Sequence, residues 1–130
     1  MAGVKTLLAV GLGGLLGSLA RYKLGGFVLH HAGSSRFPLS TFVVNLLGCA
    51  LVGLLAGFAE HRHELSPAAR LFLITGFCGG FTTFSAFGLE TVYLLRRHEG
   101  PWAAANVAAS ILAGVAAVWL GWRAVELFSR

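Results

Sequence analysis

The placement of charge constrains this chain more than any other feature. Four windows carry no Asp, Glu, Lys or Arg: Thr6–Ala20, Phe37–Ala59, Leu71–Leu89 and Gly100–Trp122, of 15, 23, 19 and 23 residues. A helix that crosses the hydrocarbon core of a bilayer needs about 20 apolar residues. The last three windows meet that requirement directly. The first is short, but it continues past Arg21 and Lys23 into Leu24–Leu29. That predicts one helix whose two charges lie near a membrane face or in a wet vestibule. The chain is therefore expected to be an all-α membrane protein, a single transmembrane domain over 1–130 with helices over roughly 4–29, 39–59, 67–95 and 101–127. The connections Gly33–Pro38, Glu60–Pro67 and Arg97–Pro101 each end in a proline suited to the first turn of the next helix.

Composition excludes the alternatives. Hydrophobic residues are 56% of the chain, 18 of its 130 residues are glycine, and only 12% are charged. A soluble domain carries about twice that charge, and a chain this short has too little interior to hide so much apolar surface. A soluble enzyme and a disordered chain are both excluded. The net charge of +5 comes from ten Lys/Arg against five Glu. The basic residues punctuate apolar runs and do not cluster on a polar face, so they read as helix-end anchors at lipid headgroups and not as a nucleic-acid site. Cys49 and Cys78 lie inside apolar runs without CxxC spacing and read as small apolar fillers. The first apolar run meets Arg21-Tyr22-Lys23 with no small-residue cleavage site, so the N-terminus is expected to be retained.

An even number of spans puts both termini on one side. Lys5, Arg62, Arg70, Arg123 and Arg130 then fall on that side, and Arg21, Lys23, Arg36, Arg96 and Arg97 on the other. Orientation is normally set by an excess of Lys/Arg in cytoplasmic loops. A five-to-five tie leaves no strong preference, so both orientations can be inserted. Such chains can pair antiparallel, although a short protein can also reach balance by chance.

The most informative stretch is Thr75-Gly-Phe-Cys-Gly-Gly-Phe-Thr-Thr-Phe-Ser-Ala-Phe87, in the middle of the third helix. Paired glycines followed by paired β-branched threonines make a poor helix interior. A break is therefore expected over Gly79–Thr83, at mid-membrane, buried against protein or lining a cavity because lipid cannot satisfy the freed backbone groups. Its carbonyls would face either a cation or a neighbouring helix. Phe84 and Phe87 are three apart and share a face; Phe77, Phe81 and Phe84 form a second stripe. A phenylalanine ring has a positive edge that can stabilise an anion without formal charge, and the hydroxyls of Thr83 and Ser85 lie beside it. In the second helix Asn45 is the one amide of an uncharged span, able to donate to an anion or to a neighbouring helix. Asn106, Ser110 and Gly114 stand at i, i+4 and i+8 in the fourth helix, as a packing face or a polar track. Gly13–Gly17 and Gly53–Gly57 are GxxxG pairs for close helix packing. Glu60-His61-Arg62-His63-Glu64 resembles metal ligands only superficially, being a polar connection without a partner cluster. No catalytic constellation is present.

The third-helix motif, with Thr41-x3-Asn45-x2-Gly48 before it and Gly13-Gly14-x2-Gly17-x3-Arg21-Tyr22 at the start, resembles the fluoride channel family known as Fluc or CrcB. The resemblance covers nearly the whole chain. It implies a four-helix subunit in an antiparallel dual-topology homodimer with two pores, surrounded by membrane lipid in the cell inner (plasma) membrane and passively exporting fluoride from the cytoplasm. Carried over by position, it implies that Phe84 and Phe87 offer ring edges to fluoride, that Asn45 donates to it, and that Ser110, with Ser85 and Thr83, lies along the pathway. It also implies Arg21 at the aqueous vestibule, Glu90 as the acidic position after the phenylalanines, and Gly79 and Thr82 carbonyls on a structural Na+ at the dimer centre. This sequence departs from the family at Ala86, where Thr is frequent, at Asn106, where some relatives have Tyr, and at Gly88, where Ser is common. A proton-coupled drug antiporter of this size would need an intramembrane carboxylate, and helix one and the interiors of helices two and four have none. A subunit that transports nothing would use the same polar residues for packing alone.

Overall fold

Thr6–Ala20 and the other charge-free windows wind into helices because only a helix satisfies its own backbone in lipid. The computed structural model describes residues 3–61 and 65–129. It contains four helices long and apolar enough to cross a membrane: α1 (Val4–Ala32), α2 (Leu39–His61), α3 (Pro67–Arg96) and α4 (Gly100–Phe128). Pro67 opens α3 behind a Ser66 cap that accepts from Ala69 N at 3.2 Å. Arg62, His63 and Glu64, with most of the superficially ligand-like run, lie outside the described residues, as does Arg130.

Helix α3 is irregular. A short α-helical turn, Pro67–Arg70, leads into a π-helical stretch, Leu71–Cys78, and a further α-helical turn, Gly79–Phe81. Thr82 and Thr83 are then extended, with φ, ψ of −83°, 156° and −148°, 113°. A regular helix resumes over Phe84–Arg96. The expected break over Gly79–Thr83 is thus corrected. It falls on the threonines alone, and both glycines are helical. Thr83 restarts the helix because its hydroxyl accepts from Ala86 N at 3.2 Å, the arrangement of an N-cap. The break also ends the Phe77–Phe81–Phe84 stripe: Phe77 and Phe81 stack at 5.9 Å, while Phe84 pairs with Phe87.

The glycines do the packing. A Cβ on Gly13 would meet the Phe72 carbonyl and Gly76 Cα, one on Gly17 the Phe77 carbonyl, one on Gly76 the Val10 carbonyl, and one on Gly80 the Gly14 carbonyl. Contacts that rise together from Val10 to Gly17 and from Gly76 to Phe81 mean that α1 and the first part of α3 run parallel. A second seam joins α2 to α4, also parallel, with Gly53 against the Val118 carbonyl, Gly57 against Trp122 and Val125, and Gly121 against Ala50. Gly48 faces Thr82 and Phe81, so α2 seats the break where it has no side chain. Small residues that let backbones approach are the main device for helix association in lipid.

Glycines inside and outside the seams should respond differently to one added methyl group. Gly17→Ala and Gly53→Ala press on backbone and should each lower stability by about 1–3 kcal/mol. Gly100→Ala, which meets nothing, should not. Thermal unfolding of the purified protein checks this, and equal melting temperatures for all three variants would rule out tight seams.

Candidate ion pathway

The break would strand backbone polar groups in a medium without water, so their partners define the site. Asn45 of α2 pairs its side-chain amide with the Thr83 peptide. Its Nδ2 donates to the Thr83 carbonyl at 3.0 Å, and Thr83 N donates to its Oδ1 at 2.7 Å. The Cys78 carbonyl accepts from Thr82 N at 3.0 Å and from Thr82 Oγ1 at 2.8 Å. The Gly80 carbonyl accepts from Arg21 Nε at 3.1 Å and Ser18 Oγ at 3.4 Å. None of these donors takes the carbonyls of Gly79 or Thr82. Gly79 lies on the exposed side of α3, with open space around it. Uncharged carbonyl oxygens are hard ligands that suit a monovalent cation better than Ca2+, whose sites typically recruit carboxylates.

Beside the break lies a groove of about 310 Å³ bounded by Asn45, Thr83, Phe84, Phe87 and Ser110, with Cys49 and Ile111 completing its wall; none of its lining residues is charged. Phe84 is 83% exposed, and its ring centroid is 5.4 Å from that of Phe87 with the planes inclined at 37°. An aromatic ring carries a positive edge as well as a negative face, and both rings line the groove. Asn45 has one further N–H beyond the one given to Thr83. Thr83 and Ser85 share a hydroxyl hydrogen bond of 3.1 Å. Of the residues named from the sequence as a pathway, Asn45, Thr83, Phe84, Phe87 and Ser110 line this groove; Ser85 touches it only through its bond to Thr83, and Arg21 lies elsewhere.

Arg21 opens instead onto a neighbouring cavity of about 620 Å³, which it lines with Lys23, Ser40, Thr41 and Thr83; no carboxylate lines it. Thr83 belongs to both spaces, so the break is the partition between a basic cavity and an uncharged groove. Thr41 donates to Glu90 Oε1 at 2.7 Å, and Glu90 faces a third pocket flanked by Arg36 and Arg97. The fourth helix attaches to this wall by a relay. Asn106, 2% exposed, donates to Thr91 Oγ1 at 2.9 Å, Thr91 donates to the Phe87 carbonyl at 2.8 Å, and Ser110 donates to Asn106 Oδ1 at 3.4 Å. Asn106 is thus a buried brace, while Ser110 reaches the groove. Ser18 and Thr91 were not singled out by sequence reasoning. Ser18 stands three residues before Arg21, the spacing that puts both on one face, and that was the available signal.

Comparison with known proteins places the chain in a family. A family model described as CrcB-like protein, Camphor Resistance (CrcB), matches residues 8–122. The chain is 49% identical over 121 residues to the fluoride-specific ion channel FluC of Methylobacillus flagellatus, covering 93% of this chain and 94% of that protein. It is 47% identical over 118 residues to the protein of the same name from Chlorobaculum tepidum, covering 91% and 92%. It is 46% identical over 120 residues to that of Nitratidesulfovibrio vulgaris, covering 91% and 94%.

The Asn45 pairing makes its own prediction. Asn45→Leu leaves the Thr83 N–H and C=O without partners, and each orphaned group costs about 1–3 kcal/mol. The melting temperature should fall accordingly, and an Asn45→Leu protein as stable as the native one would show that the pairing holds nothing.

Proposed function

Because the chain belongs to the CrcB family, whose relatives are named fluoride-specific ion channels, we propose that the groove along Asn45, Phe84, Phe87 and Ser110 conducts fluoride. The protein is a multi-pass membrane channel for fluoride, not an enzyme. The observation that carries the assignment of the pathway is the uncharged groove, walled by two inclined phenylalanines and an amide, next to a carboxylate-free basic cavity. Fluoride is small and strongly hydrated. Arg21 and Lys23 draw it toward the cavity while water still screens it. Beyond the break, the spare Asn45 N–H, the ring edges and the Ser110 hydroxyl replace part of its hydration shell. Neutral donors bind weakly enough for the ion to leave again, as conduction requires.

The direction of flow is outward. Hydrogen fluoride crosses membranes as a neutral acid and ionises at neutral pH, which traps fluoride in the cytoplasm. A passive pore in the cell inner membrane releases it down its gradient with the help of an inside-negative potential. This lowers fluoride toxicity without an energy source.

The working unit is an antiparallel homodimer. The balanced Lys/Arg count, the outward-facing Gly79 and the 83% exposure of Phe84 support a second copy over this face. Gly79 and Thr82 carbonyls from both copies would then hold a Na+ on the shared axis. That ion is structural, and its charge offsets part of the cost of an anion inside the membrane.

Two experiments test these readings. Phe84→Ile keeps bulk and apolarity and removes the polarised ring edge. Fluoride flux from liposomes should fall at least tenfold, the loss of about 1.4 kcal/mol of stabilisation, while the protein still assembles; unchanged flux in a folded Phe84→Ile variant excludes the ring-edge role. Adding two or three lysines to the Arg97–Pro101 connection should fix one orientation and abolish flux, and a partner biased the other way should restore it. The restored pair should melt at lower temperature when Na+ is replaced by a large organic cation. Full flux from a uniformly oriented population excludes the antiparallel pair, and melting indifferent to Na+ excludes the cation.

A further inference from the structure

Arg21 makes a contact that attracting an anion does not require. In an unbroken helix the Gly80 carbonyl would accept from the Phe84 N–H four residues on. The extended Thr82 and Thr83 carry Phe84 away from it. Arg21 Nε takes that carbonyl at 3.1 Å, and Ser18 Oγ, one turn earlier on the same face of α1, reaches it at 3.4 Å. Gly80 is also where the two backbones touch, since a Cβ there would strike the Gly14 carbonyl. The contact uses the stem nitrogen of the guanidinium. Its two terminal nitrogens remain for the basic cavity that Arg21 lines.

We propose that Arg21 is a positioning residue for the break in α3, holding the Gly80 carbonyl through Nε so that the Thr82–Thr83 segment stays extended, in addition to being a charge in the cavity. Asn45 holds the far end of the break from α2, and Arg21 with Ser18 holds the near end from α1. The backbone between these two anchors has no freedom to wind back into helix. The anchor also withdraws Gly80 from the set of open carbonyls and leaves Gly79 and Thr82. A charge acting only at long range would do none of this, and a lysine would serve such a charge equally well.

Side-chain chemistry separates the two roles. Glutamine carries its amide nitrogen at the same bond count from Cα as Nε of arginine, so Arg21→Gln keeps a donor there and loses the charge. Lysine has a methylene at that point, so Arg21→Lys keeps the charge and loses the donor. The first readout is amide hydrogen exchange at Thr82 and Thr83, whose N–H groups bond Cys78 and Asn45 and open only when the break does. Exchange should be roughly tenfold faster in Arg21→Lys, the effect of losing one charge-assisted hydrogen bond, and native-like in Arg21→Gln. The second readout is fluoride flux against ionic strength. Flux through Arg21→Gln should be reduced at low salt and converge on the native value as salt screens the cavity. Flux through Arg21→Lys should be reduced at every salt concentration.

Native exchange in Arg21→Lys, or equal acceleration in both variants, overturns the proposal. Should Arg21→Lys fail to fold, Ser18→Ala removes the second donor to the same carbonyl and should speed exchange about threefold; no change there overturns it as well. The flux arm rests on the channel reading and the exchange arm does not. Absence of fluoride flux in the native protein would defeat that reading, while exchange would still decide the role of Arg21.

Discussion

The pairing between the Asn45 amide and the Thr83 peptide is the contact on which the rest of the site depends. A spanning helix can be interrupted in lipid only if each freed N–H and C=O finds a partner within the protein. A primary amide offers the same donor and acceptor as a peptide unit, side by side, so one asparagine satisfies both groups of Thr83 at 2.7 and 3.0 Å. With its backbone held extended, Thr83 turns its hydroxyl onto Ala86 N and caps the second part of α3. That cap sets the start of the helix, and with it the placement of Phe84 and Phe87 on the groove. The aromatic wall follows from an amide on another helix more than from any preference of the phenylalanines themselves.

The amide can reach because the helices approach closely. Gly48 stands one turn beyond Asn45 on α2 and leaves room for Thr82 and Phe81, so clamp and seat lie on one face. On the other side Gly13, Gly14 and Gly17 bring α1 onto Gly76 and Gly80. The break is therefore held between two glycine surfaces. Its fixity comes from packing on both sides and from hydrogen bonds at both ends, and a loop in solvent would have neither.

Much of this was legible in the sequence where a local rule applied. Charge-free windows near twenty residues long have one solution in a bilayer, and four spanning helices follow. Locating the break was harder. Propensity learned in water marks Gly79 and Gly80 as helix breakers, but both stay helical here, and Gly80 serves the close approach to α1 that glycine provides between membrane helices. The interruption fell where an N-cap and an amide were on hand, at Thr83. The pairings Asn45–Thr83, Thr41–Glu90 and Arg21–Gly80 join residues far apart in the chain, and no local pattern encodes them. The Phe77–Phe81–Phe84 stripe misled for the same reason: its period assumes a continuous helix, and the third ring belongs to a different one.

On the channel reading, the separation of charge from neutral donors is itself informative. Two unit charges 4 Å apart attract by about 1 kcal/mol in water and by about 4 kcal/mol at the effective dielectric near a protein surface, and more strongly still where water is excluded. An arginine inside the groove would hold fluoride too tightly for it to leave. This chain keeps Arg21 and Lys23 in the larger cavity, where water screens them, and fills the groove with an amide, hydroxyls and ring edges. Thr83 borders both spaces. Its N–H and C=O are occupied by Asn45, so the partition adds no competing backbone donor or acceptor of its own. An ion passing from cavity to groove exchanges a screened full charge for unscreened partial ones, and the depth of binding changes less than either the charge or the dielectric alone would dictate.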